Sequence, residues 1–133
     1  MKENTGYYQP GICNIGADEI SKRRKEFLVS VILDLLLTGL CFYFYDSFWI
    51  LVLLFVVTAY TALMYLQIIN RFCVLFGWFK KYNFGKLGDG HKINDPGQIA
   101  RDRKKVVIIF FKMLLISGIY WSLIFLVSGK FHF

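Results

Sequence analysis

Proline and histidine each occur only twice among the 133 residues, and no His-x-x-x-His, Cys-x-x-Cys or His-Glu-x-x-His spacing is present. The arrangements that build zinc sites and metalloprotease centres are therefore missing. Three cysteines, Cys13, Cys41 and Cys73, are too few and too oddly spaced for a disulfide framework. No Walker A loop occurs. The glycines of "FGKLGDG", at 85, 88 and 90, suit a turn better than a phosphate cradle. A Ser-His-Asp order and a pair of catalytic carboxylates are also lacking, so no enzymatic constellation can be read and no cofactor is expected.

Charge is scarcest inside three long apolar runs. Phe27 to Tyr45, Phe48 to Ile69 and Val106 to Ser128 contain only Asp34 and Lys112 as full charges. At about 19, 22 and 23 residues and about 1.5 Å rise per residue, each can cross a hydrocarbon core roughly 30 Å thick. Apolar residues make up 56% of the chain and mean hydropathy is +0.49, so a water-soluble domain is disfavoured. The fold expected is an all-α integral membrane protein with three transmembrane helices in one domain, residues 17–128. "SKRRK" before the first run has the look of a signal peptide. No small-residue cleavage site follows, however, so the run reads as an anchor ending in the aromatic belt "CFYFYDSFW".

The net charge of +7 lies outside the runs. Lys2, Lys22, Arg23, Arg24 and Lys25 precede the first span, and nine basic residues fall between the second and third. The short connection at Asp46 and Ser47 has none, and only Lys130 follows the third span. The positive-inside rule then predicts a cytoplasmic N-terminus and long loop (70–105), with the tail 129–133 outside, in a bacterial-type inner membrane. Basic blocks flanking lipid spans are accounted for by anionic headgroups, so no nucleic-acid partner is expected. Headgroup contacts are assigned to Arg23, Arg24, Lys25, Trp78, Lys80, Lys81, Arg103, Lys104 and Lys105.

Residues 1–16 read as a flexible lead broken by Pro10 and Gly11. A helix then starts near Ala17, capped by Asn14 or Asp18, and projects beyond the lipid. The third span is likewise extended, with Asp95 as cap and Pro96 at the first helical position. Between them "RFCVLFGWFKKYNF" mixes aromatics with Arg71, Lys80 and Lys81, a composition suited to a headgroup boundary, and Asp89-Gly90 can close a hairpin. "CNIGADEISKRR" and "RFCVLFG" look motif-like without pointing to a fold or activity.

Asp34 poses the sharpest question. A carboxylate deep in hydrocarbon costs at least about 2.5 kcal/mol and needs polar company. Ser30, Asp34 and Thr38 recur at four-residue spacing on one face. Counting depth inward from the basic side places Lys112, Thr61 and Tyr65 near its level, which predicts an intramembrane cluster of Asp34, Lys112, Thr61 and Tyr65 stapling the helices. The competing reading has Lys112 snorkelling to the headgroups. Gly39 and Gly118 are expected to allow close packing against another helix. Cys13, Cys73 and His91 share the basic side and form the one conceivable thiol or metal set, with Cys13 the best reactive thiol because helix start and nearby lysines lower its pKa.

Together these readings favour a small, non-catalytic accessory, assembly or regulatory subunit of a larger membrane complex, partnered by another membrane protein or by its own copies. Two alternatives are a thiol or metal site at Cys13, Cys73 and His91, and an oligomeric transporter of ions or small solutes with Asp34 in the path.

Overall fold

The computed structural model describes residues 7–44 and 46–130. Lys2, Tyr45 (the expected end of the first span) and His132 lie outside the described residues, as do the ends 1–6 and 131–133. The elements are α1 (Ala17–Tyr43), α2 (Phe48–Asn70), α3 (Val74–Trp78), β1 (Lys81–Tyr82), β2 (His91–Lys92) and α4 (Pro96–Lys130). The chain is mostly helical, and α1, α2 and α4 are each long and apolar enough to cross a membrane.

Hydropathy forms these three helices, and their ends have local causes. The α1 helix starts after Gly16, not with Asn14 or Asp18 as a side-chain cap. Asn14 is engaged elsewhere, and a Cβ on Gly16 would come within 2.9 Å of the Phe84 Cα, so only glycine fits that crossing. Arg71 ends α2 by adopting a left-handed φ of 50°. Its N–H bonds to the Ile68 carbonyl and the next N–H, of Phe72, to the Gln67 carbonyl, which closes the helix without a glycine. Asp95 caps α4: its carboxylate accepts from the Gln98 N–H at 3.1 Å, directly ahead of Pro96.

The α2 helix is the centre of the bundle, with α1 and α4 packed on it and only lightly on each other. Two apolar clusters fill the seams. At the basic end Ala62, Leu66 and Phe72 meet Ile109 and Met113. At the other end Cys41, Leu51 and Leu54 pack with Tyr120, Trp121 and Ile124. The Trp121 indole N–H donates to the Leu51 carbonyl at 3.0 Å, and the Thr38 and Tyr120 hydroxyls share a bond of 2.8 Å. Most other apolar side chains of α1 and α4, such as Leu35, Leu36, Phe111 and Leu115, point outward, as they would toward lipid.

The expected flexible lead is, across its described part, a folded piece. Residues 9–13 close a tight turn, and Ile15 bridges to Asn83 beside the β1–β2 hairpin. It is held because its polar groups find partners on the loop and on α4, described next.

Candidate functional site: a buried polar cap at the basic end

Asn14, with no exposure, uses its side-chain amide as a two-pronged clamp. Its Oδ1 accepts the Cys73 N–H at 2.7 Å and its Nδ2 donates to the Cys73 carbonyl at 3.0 Å. Its backbone N–H reaches the Arg71 carbonyl and its carbonyl accepts from the Asn83 N–H. Asn83 is equally committed. Its Nδ2 donates to Glu19 Oε1 and to the Lys86 carbonyl, while its Oδ1 accepts the Gly85 N–H.

Glu19 carries the network into the helices. Its other oxygen pairs with Arg23 at 2.7 Å, the one ion pair among the described residues. Arg23 Nε reaches Gln67 Oε1, which also accepts the Val74 N–H that opens α3. A separate buried carboxylate, Asp102 on α4, accepts the Tyr8 hydroxyl and the Gly11 N–H, each at 2.7 Å. Glu19, Arg23, Asn14, Gln67, Asn83 and Asp102 are all buried, and no enclosed side-chain nitrogen or oxygen among the described residues lacks a partner. Satisfied networks of this kind fix one arrangement of the segments they join. Beneath them Phe72 is fully buried, and a Cβ on Gly77 would sit 2.8 Å from the Phe72 ring and from Val106.

Burial pushes the Asp102 carboxyl above the usual carboxylate range, although the Tyr8 and Gly11 bonds act the other way. Tyr8 is raised far above an ordinary tyrosine, first by burial, then by its bond to Asp102 and the charges of Asp102 and Asp95. A phenol whose folded pKa is raised contributes stability that is complete below its unfolded pKa, about 10, and lost as pH climbs above it. Alkaline titration is therefore expected to release residues 7–13 from α4. Amide exchange at Gly11, followed across that range, should show the release, and Tyr8→Phe should move or remove the transition. An unchanged alkaline profile in Tyr8→Phe would refute the assignment.

Asp34 is buried at 8% exposure and faces α2. Its Oδ1 accepts the Thr58 hydroxyl at 2.9 Å. The expected partners lie elsewhere. Thr61 donates to its own helix at Val57, Tyr65 is half exposed with its ring against Phe27, and Lys112 is exposed and makes no ion pair among the described residues. Lys112 is felt instead by Lys105, which is drawn below the usual lysine range by burial and by that neighbouring charge. The register explains the change of partner. The short connection between α1 and α2 fixes their pairing, and Asp34 and Thr58 both lie about 14 Å from it.

A Cβ placed on Gly39 or Gly118 would meet nothing within 4 Å, so neither glycine mediates packing inside this chain. Cys13, Cys73 and His91 do not converge. Both thiols are buried, His91 is exposed on β2 against Tyr82, and no set of three potential metal ligands occurs among the described residues. The expected activation of Cys13 is corrected. Burial raises its pKa, more than the Gln9 backbone and Arg71 lower it.

Among the basic residues assigned to headgroups, Arg23 is corrected, since it is buried against Glu19 and Gln67. Arg24, Lys25, Trp78, Lys80, Lys81, Arg103 and Lys104 are exposed, and Lys105 is half-buried. The Arg103 guanidinium lies 5.5 Å over the Trp78 ring. Asn14, Glu19, Gln67, Asn83, Asp102 and Tyr8 carry the cap, a role that the sequence alone does not assign to them. Their only sequence signals are the Glu19/Arg23 spacing and the motif-like look of "CNIG" and "RFC". No protein-family profile matches this chain, and neither a curated protein nor a solved structure matches it significantly.

Proposed function

We propose that this chain is a multipass protein of a bacterial-type inner membrane, with its N-terminus and polar cap in the cytoplasm and its C-terminal tail outside. It serves there as a non-catalytic accessory, assembly or regulatory subunit of a larger membrane complex. The bias of lysine and arginine toward the cap end supports the orientation. The observation that carries the role is the cap itself. Its buried polar side chains hold the N-terminal segment, the hairpin and the four helices in one shape. A fixed surface at the end of a small bundle suits recognition by another protein. Gly39 and Gly118 leave shallow openings on the outer faces of α1 and α4, where a partner helix can approach closely.

Affinity purification from native membranes in mild detergent, followed by size-exclusion chromatography and mass spectrometry, tests this. Co-elution with a larger membrane protein in constant stoichiometry is expected. A monodisperse monomer that carries no partner across several gentle detergents would overturn the reading.

A further inference from the structure

The β1–β2 hairpin pairs Lys81 directly with Lys92, two like charges whose side chains share one face. Lys80, just before them, holds a left-handed φ of 60° and accepts the Ile93 N–H through its carbonyl at 2.7 Å. Lys80, Lys81 and Lys92 are exposed, and none forms an ion pair among the described residues. The acids in the same segment do not neutralise them, since Asp95 caps α4 and Asp89 faces Gly85. Like charges set opposite each other weaken a hairpin, and a strand pair this short has little reserve.

What lies beside the pair identifies its counter-charge. The α3 helix turns Gly77 inward toward the Phe72 ring, and Leu75, Trp78 and the C-cap residue Phe79 are exposed at 62%, 53% and 63%. This apolar ledge follows α2 within a few residues, where an apolar span ends, and Lys80 and Lys81 continue directly from it. Apolar side chains followed at once by lysines match the layering of a leaflet, acyl chain below and phosphate above.

We infer that the hairpin is an anionic-phospholipid binding element. A headgroup phosphate seats between Lys81 and Lys92, and its binding tightens the hairpin. The inference rests on the membrane-spanning reading but not on any protein partner, so it is tested with the purified chain alone in nanodiscs.

Amide exchange at Ile93 is compared in phosphatidylcholine discs with and without phosphatidylglycerol, with Asn83 in the cap as internal reference. About threefold slower exchange at Ile93, with Asn83 unchanged, is expected in the anionic discs. Lys92→Glu replaces the like pair with an opposite one, and should exchange slowly in both discs. Lys92→Ala should lose the lipid response while Asn83 stays protected, which confirms folding. Inorganic phosphate and glycerol phosphate added to phosphatidylcholine discs should not reproduce the slowing. Equal exchange in the two discs, equal slowing at Asn83, a persistent response in either variant, or full slowing by soluble phosphate would each overturn the inference.

Discussion

Asn14→Ala is expected to lower stability by about 2–3 kcal/mol, through one stranded amide and one lost carbonyl bond. The change strands the buried Cys73 N–H, now bonded to Asn14 Oδ1 at 2.7 Å, and takes one of two bonds from the Cys73 carbonyl, which keeps the Gly77 N–H at 2.9 Å. A buried group left without a partner costs about 1–3 kcal/mol, and among the described residues every buried side-chain nitrogen and oxygen is already bonded. Asn14→Asp should rescue little, because its second carboxylate oxygen would oppose the Cys73 carbonyl. Thermal unfolding in nanodiscs and exchange at the Cys73 and Asn83 amides report the change. An alanine variant within about 0.5 kcal/mol of the parent would show that the clamp contributes nothing measurable.

The second large effect belongs to the Asp34–Thr58 bond. Thr58→Val keeps the shape of the side chain but removes the one hydroxyl that reaches the Asp34 carboxylate. A loss of about 1–3 kcal/mol is expected, the cost of leaving a buried polar group without its partner. Asp34→Asn retains an acceptor for Thr58 and should cost under about 1 kcal/mol. Removing both partners, as Asp34→Leu with Thr58→Val, should recover most of the loss, because an apolar pair leaves nothing unsatisfied. Lys112→Met should be nearly silent, since Lys112 is exposed and has no ion pair among the described residues. A double variant as damaged as the sum of its parts would refute the pairwise account.

These two sites also show how far the sequence could be read. The three apolar helices were legible because hydropathy is a local property, and the start of α4 was legible because Asp95-Pro96 carries its own cap signal. That Asp34 needs a polar neighbour was legible too, yet the neighbour was misplaced. Depth counted from the basic boundary points to Thr61 and Tyr65, whereas the tight connection at the opposite end sets the register and selects Thr58. The cap left the faintest trace. Asn14, Asn83 and Asp102 act through side-chain bonds to Cys73, Glu19 and Gly11, 59, 64 and 91 residues away, and such contacts have no period and no composition. Arg23 shows the same limit. Its place in a basic run suggests headgroups, but its position on the buried face of α1 turns it toward Gln67.

The wiring of the N-terminal segment has a consequence for biosynthesis. Asn14 closes on Arg71, Cys73 and Asn83, and Tyr8 and Gly11 close on Asp102. Synthesis runs from N- to C-terminus, so residues 8–14 leave the ribosome before the partners they close on. They wait through the insertion of two hydrophobic segments until the opening turns of a third emerge, and the clasp is fastened by the segment made before any of the helices it joins.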